Sequence, residues 1–205
     1  MPNLWTYEQK FNDLNDGNLE GQDGWFDNEP GNFTVLTTGS PYEGAKHIFS
    51  NDADRAIVMR AISGVVSGTV YFSVKWNTNG RGVLYLRGSN YDANRIGLTF
   101  NFVSGEIKLQ GNVIKADAVA NTYYRIGVAF ECGAGGWEGL SADTVKANID
   151  GGDWSAAYNF TAPDTNIQHI CFDNYADTDG IYFDYISPEY APPSVIKKHL
   201  FFNLF

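Results

Sequence analysis

The sequence predicts an all-β fold, an antiparallel sandwich of two curved sheets followed by a short C-terminal tail. Three observations carry this. Short runs alternate apolar and polar residues with a period of two, and little helical periodicity lies between them. In Gly68–Asn77, Val70, Phe72, Val74 and Trp76 share one face, and Thr69, Tyr71, Ser73 and Lys75 share the other. Gly, Asn and Asp punctuate the runs, as tight turns require. The 205-residue length suits one large sandwich, which buries about 70% of its unfolded surface without a metal or disulfide.

In chain order, Leu4–Phe11 reads as a first strand, and the stretch from Asn12 to Trp25 as turn-rich. Strands are predicted at Asn32–Thr38, Ala45–Ser50, Arg55–Ile62 and Gly68–Asn77, with Asn79-Gly80 as a hairpin turn after the last. Gly82–Arg87, Arg95–Val103 and Glu106–Gln110 continue as a meander turning at Ser104-Gly105. Tyr123–Cys132, Thr144–Asp150, Trp154–Phe160, Ile167–Asn174 and Gly180–Ile186 complete the set. The sandwich occupies residues 1–188. Residues 189–205 form a linker stiffened by Pro192-Pro193 and an apolar tail.

A net charge of −10, with no large Lys/Arg cluster, argues against nucleic acid. No run approaches the roughly 18 apolar residues of a membrane span. The N-terminus lacks the basic and apolar regions of a secretory signal. A location outside the cell or on a virion surface is expected, reached by another route or after loss of a leader. Cys132 falls in phase with Ile126, Val128 and Phe130, whereas Cys171 falls opposite Ile170 and Phe172. Cysteines on opposite faces rarely meet bridging geometry, so a disulfide is disfavoured and the redox compartment stays open.

The segment Phe11–Trp25, an aromatic followed by LNDGNLEGQDGW, resembles the opening of concanavalin A-like (laminin G-like) jelly rolls of bacterial surface and phage proteins. Asp179–Ile186, DGIYFDYI, resembles their closing strand. The resemblance covers roughly residues 4–187. It implies paired first and last strands, two curved sheets of six or seven strands, and roles from lectin to virion component to glycanase. It also implies a structural Ca2+ where those strands meet, for which Asp13, Asp16 and Asp184 would supply carboxylates. The plainer reading makes Asp13 and Asp16 turn residues and Asp184 an acceptor for nearby amides.

Two sets of residues are candidates for ligand contact. Trp137, among four glycines, and Tyr91, in Gly88–Asn94, are rings in turn-rich loops where a sugar's C–H face would stack. Trp137 folded back over a core edge is an equal alternative. Arg87, Arg95, Asn101, Tyr123, Arg125, Glu131, His169 and Asp173 fall out of phase with the apolar stripes and are expected to line a shared polar face. A solvated face with weak cross-strand ion pairs is the bland alternative.

No catalytic residue is assigned. The Glu-x-Asp-x-x-Glu strand of laminarinase-type glycanases is absent, and the alginate-lyase arginine strand lacks its Glu. Glu131, His169 and Asp173 remain the residues an enzyme would use. His169, Cys171 and Asp173 alternate along one strand over about 14 Å, too far apart to share one ion. In the tail, Ile196, Leu200, Phe201, Leu204 and Phe205 fall on one helical face, which predicts a protein partner or a homo-oligomer contact. The function expected is non-catalytic glycan recognition or adhesion, with a structural virion or surface-layer role and a polysaccharide lyase or glycoside hydrolase as alternatives.

Overall fold

The computed structural model describes residues 2–29, 33–52, 54–78, 80–88, 94–101, 105–174 and 179–191, with residues 27–29, 94–95 and 98–101 described in backbone only. Tyr91 and the tail Ser194–Phe205 lie outside the described residues. The strands, in chain order, are β1 (Gly17–Asn18), β2 (Trp25–Glu29), β3 (Thr34–Leu36), β4 (His47–Ser50), β5 (Ile57–Val65), β6 (Ser67–Trp76), β7 (Arg81–Arg87) and β8 (Asn94–Asn101). They continue as β9 (Glu106–Leu109), β10 (Asn112–Lys115), β11 (Tyr124–Glu131), β12 (Thr144–Ile149), β13 (Tyr158–Asn159), β14 (Ile167–Asp173) and β15 (Ile181–Ser187).

All pairings are antiparallel and make two sheets. One has eight strands in the order β1-β3-β4-β15-β6-β11-β12-β13, the other seven in the order β10-β9-β8-β7-β14-β5-β2. The period of two dictates what lies between them. Val70, Phe72, Val74 and Trp76 of β6 meet Tyr124, Ile126, Val128 and Phe130 of β11 in the core. Leu84 and Leu86 of β7 and Ile170 and Phe172 of β14 close it from the other layer. Trp25 and Phe172 stack at 5.3 Å, and Phe172 and Phe183 at 4.1 Å, so aromatic rings knit the layers together.

The structure corrects several expectations. Leu4–Phe11 forms no strand, since its backbone makes a single bridge, Gln9 to Ile186. That bridge still joins the chain's start to its last strand. Asn77–Gly80 is not a hairpin, because β6 pairs with β15 and β11 while β7 pairs with β8 and β14. The turn is the corner where the chain changes sheets. β10 is an additional strand that folds back on β9 through Gln110 and Gly111, both at positive φ (50° and 78°). Trp154–Phe160 contributes only the two residues of β13. The two cysteines are unbridged and buried, Cys132 in the core and Cys171 on the outer side of the seven-stranded sheet.

Candidate functional site

The polar positions expected to share one face are divided between the two sheets. Arg87, Arg95, Asn101, His169 and Asp173 belong to β7, β8 and β14 of the seven-stranded sheet. Arg125 and Glu131 belong to β11 of the eight-stranded sheet, and Tyr123 immediately precedes it. The outer faces of a sandwich lie on opposite sides of the molecule, so Glu131, His169 and Asp173 do not form one site.

The outer face of the eight-stranded sheet is sealed. Register aligns Asp184, Ser73 and Arg125 in one row across β15, β6 and β11, and all three are buried, as is His47 on β4. The Arg125 guanidinium, 0% exposed, donates to Ser73 Oγ, the Tyr185 carbonyl, Ser187 Oγ and the Glu189 carbonyl. It also stacks 4.3 Å from the Tyr185 ring centroid. Burial lowers its pKa to about 10, which leaves it charged at neutral pH. The adjoining row places the Lys75 ammonium 4.7 and 4.2 Å from the Tyr123 and Tyr182 rings, with the Gly39 carbonyl accepting at 2.6 Å. Tyr123 Oη lies 2.8 Å from His47 Nδ1. Segments 39–43 and 185–191 supply these contacts and cover the row.

Trp137 covers a neighbouring part of that face. Its ring is 7% exposed and packs with Ala129 and Leu140, with Trp154 alongside. Indole Nε1 donates to Thr69 Oγ1 at 3.0 Å, and the backbone N–H donates to Glu131 Oε2. Glu131 Oε1 accepts from Gly133 N–H, so this carboxylate organises the loop. Gly135 and Gly136, at φ 92° and 118°, turn the chain back onto the sheet, a conformation that excludes most side chains. Of the two readings open for Trp137, the structure shows the ring folded back rather than exposed.

The cation site expected at Asp13, Asp16 and Asp184 does not assemble. Asp184 Oδ2 accepts from the N–H groups of Tyr42 and Glu43 at 2.7 and 3.1 Å, and Oδ1 from that of Tyr185 at 2.7 Å. Asp16 faces the Lys46 ammonium at 3.1 Å, and Asp13 is exposed. Donors stand where a calcium site would need further oxygens. Among the described residues, no three His, Cys, Asp or Glu side chains converge.

The outer face of the seven-stranded sheet differs. Register lines up Phe26, Met59, Cys171, Tyr85 and Gly97 across β2, β5, β14, β7 and β8. Met59 and Cys171 are a buried apolar floor on which the half-buried Tyr85 ring rests, and Phe26 is 37% exposed at the edge. Gly97 carries no side chain to cover the neighbouring position. Gln110 stands there instead, exchanging backbone and side-chain hydrogen bonds with Gly97. Its Nε2 is held by the Asn159 carbonyl at 3.0 Å.

Two polar rows flank this strip. On one side His169 lies opposite Arg87 in register, and its Nδ1–H donates to the Gly88 carbonyl at 3.0 Å. Arg87 lies flat and buried, with Nη1 3.1 Å from Met59 Sδ and its guanidinium 5.4 Å from the Tyr85 centroid. On the other side the buried Asp173 receives Arg55 through Nε and Nη2, the shortest contact being 2.6 Å. Arg95 falls at the register shift between β7 and β8. Tyr85 and Gln110 were missed in the sequence. For Tyr85 the signal was present, since the parity that selects Arg87 also selects it.

These features define the class: a two-layer jelly roll with one sealed outer face and one that presents rings and planar polar groups. Its fold is that of the concanavalin A-like jelly rolls. No protein-family model matches the chain, and no curated protein matches it in sequence. Among solved structures, a sialidase is similar at TM-score 0.58 and 15% identity, over 80% of this chain but only 16% of the sialidase. The carbohydrate-binding module CBM66 from Bacillus subtilis is similar at TM-score 0.52 and 13% identity, over 79% and 91% of the two chains. A Bacillus licheniformis β-glucanase is similar at 0.56 and 11%, over 88% and 96%. The fold is thus one that carbohydrate-binding modules and glycoside hydrolases share. No described helix is long and apolar enough to cross a membrane.

Proposed function

We propose that this protein is a non-catalytic glycan-recognition module that binds a neutral polysaccharide on the outer face of its seven-stranded sheet and works outside the cell. The observation that carries the reading is the Tyr85 strip. A half-buried ring on a rigid apolar floor is flanked by His169 and Arg87 on one side and Gln110 on the end. Rings of this kind stack on the C–H face of a pyranose, and planar polar groups beside them meet its hydroxyls. The similar structures support the ligand class, since two of them are named as a carbohydrate-binding module and a β-glucanase. The non-catalytic part rests on the carboxylates. Asp173 has both oxygens engaged by Arg55, and Glu131 lies on the other sheet as a loop organiser.

Affinity electrophoresis and calorimetry against neutral polysaccharides, a soluble β-glucan first, test this. Tyr85→Ala is expected to weaken binding about tenfold, the size of one lost stacking contact. Binding that is unchanged in Tyr85→Ala, or no binding by the parent protein to any neutral polysaccharide, would overturn the reading.

A further inference from the structure

The seven-stranded sheet leaves one length of strand edge without a neighbour. β14 runs beside β5 from Ile57 to Val65, but β2 pairs with β5 only from Ile57 to Arg60. Beyond Arg60, no described strand lies on the β2 side of Ala61–Val65. Ala61, Ser63 and Gly64 are exposed there. A bare strand edge offers unpaired N–H and C=O groups, a hazard that folded proteins usually cover.

A groove of about 670 Å³ runs along this edge. Its far wall is Trp5–Glu8, where the buried Trp5 and half-buried Tyr7 alternate with the exposed Thr6 and Glu8. Among the described residues, no backbone hydrogen bond joins this wall to Ala61–Val65. The groove lies where β2 would continue, had the chain not turned at Asp23 and Gly24, both at positive φ (44° and 72°).

The two ends of the groove differ. At one, Asp23 accepts from Tyr7 Oη and Gln9 Nε2 at 3.0 and 2.9 Å and faces the Arg60 guanidinium at 3.5 Å. That knot closes it. At the other, next to the lining residues Trp5 and Val65, Leu4 and Val66 are 49% and 42% exposed and make an apolar mouth. A segment entering by this mouth runs antiparallel to β5, as β2 does.

The chain supplies such a segment close by. Asn3 Nδ2 donates to the Pro188 carbonyl at 2.9 Å, which ties the end of the sandwich beside Leu4. Ala191 follows at most about 11 Å further on, and residues 192–199 reach about 26 Å when extended, enough to return to the mouth. Leu200–Phe205 come next in sequence. With a period of two, Leu200, Phe202 and Leu204 share one face.

We propose that the groove is a docking slot for the chain's own C-terminal segment, with Leu200–Leu204 added as a strand on the Ala61–Val65 edge of the same molecule. Leu200, Phe202 and Leu204 would pack on Ile62, Val65 and the Trp5 wall, and their main chain would pair with the bare edge. The slot shares no residue with the Tyr85 strip, and either reading stands if the other fails.

Hydrogen exchange of the full chain at several protein concentrations tests it. The Leu200→Asp/Phe202→Asp variant alters only residues beyond the sandwich. Its Ala61–Val65 amides are expected to exchange at least about tenfold faster than the parent's at every concentration, with β6 and β11 unchanged. A synthetic peptide of residues 194–205 is expected to bind the variant and restore protection, and not to bind the parent, whose slot is filled. Equal exchange of Ala61–Val65 in parent and variant, or a peptide that binds neither or both alike, would overturn the proposal. So would protection that fades on dilution, as the tail of a second copy would give.

Discussion

The two outer faces of this sandwich begin from the same sequence pattern and end differently. Both present polar residues out of phase with the core stripe. On the eight-stranded side those residues, Arg125, Asp184, His47 and Ser73, are sealed beneath segments 39–43 and 185–191 and form a second, polar core. On the seven-stranded side Tyr85, His169 and Gln110 remain partly open to solvent around a flat floor. A polar residue facing away from the apolar core is therefore not by that fact a surface residue. What covers it decides, and the covering segments come from distant parts of the chain.

The comparison breaks most sharply at Arg125. Its guanidinium ties β6, β15 and the 187–189 turn together, and truncation leaves several buried acceptors unpaired. Arg125→Ala is expected to cost about 3–5 kcal/mol, read as a fall of roughly 10 °C in melting temperature. A loss below about 1 kcal/mol would mean that this face is not a core.

Trp137 sharpens the contrast next. Trp137→Ala is expected to cost about 3 kcal/mol through the cavity it leaves, with polysaccharide affinity unchanged within about twofold. Calorimetry of ligand binding on the folded variant separates the two effects. A large affinity loss with little destabilisation would return Trp137 to the role of an exposed platform.

The polar core also carries two titrations of opposite sign. Burial and the nearby Lys75 push His47 from 6.5 down to about 4. Between those values the unfolded chain holds the proton and the folded chain does not, so His47 makes stability rise with pH. Burial pushes Asp184 from 3.8 up to about 7, against the pull of its three N–H donors and Arg125. Between those values the folded chain holds the proton and the unfolded chain does not, so Asp184 makes stability fall with pH. In the parent the two slopes oppose each other between about pH 4 and 6.5. Relative to the parent, Asp184→Asn is expected to shift the stability slope upward with pH, and His47→Gln downward, each by at most ~1.4 kcal/mol per pH unit. Urea unfolding at several pH values reads this. Parallel profiles for all three proteins would contradict it.

The smallest effect concerns calcium. With Asp184 filled by N–H donors and Asp16 paired with Lys46, chelator is expected to change the melting temperature by no more than about 1 °C. A larger, calcium-reversible shift would require a cation site at the chain's first and last strands after all.

Parity made the fold legible. Alternation in β6, β11, β7 and β14 assigned core faces correctly, and it placed Cys132 and Cys171 on opposite sides of their sheets. Sheet membership was not legible, because the step from β6 to β7 reads as a hairpin until long-range pairing shows each strand with other partners. The site was half legible. Arg87, His169 and Asp173 were found by parity and do share a face, whereas Arg125, Glu131 and Tyr123 have the same local signature on the sealed side. In the sequence, the glycines before Trp137 fit a mobile loop and a tightly turning one equally. Their positive φ values turn it inward, where Thr69, nearly seventy residues earlier, accepts the indole N–H.

Hydrogen exchange of the folded protein with and without a saturating neutral polysaccharide tests the contrast between the faces most directly. Protection is expected in β7 and β14 around Tyr85 and His169, with β6 and β11 unchanged. Protection confined to β6, β11 and the Trp137 loop, with none in β7 or β14, would contradict it.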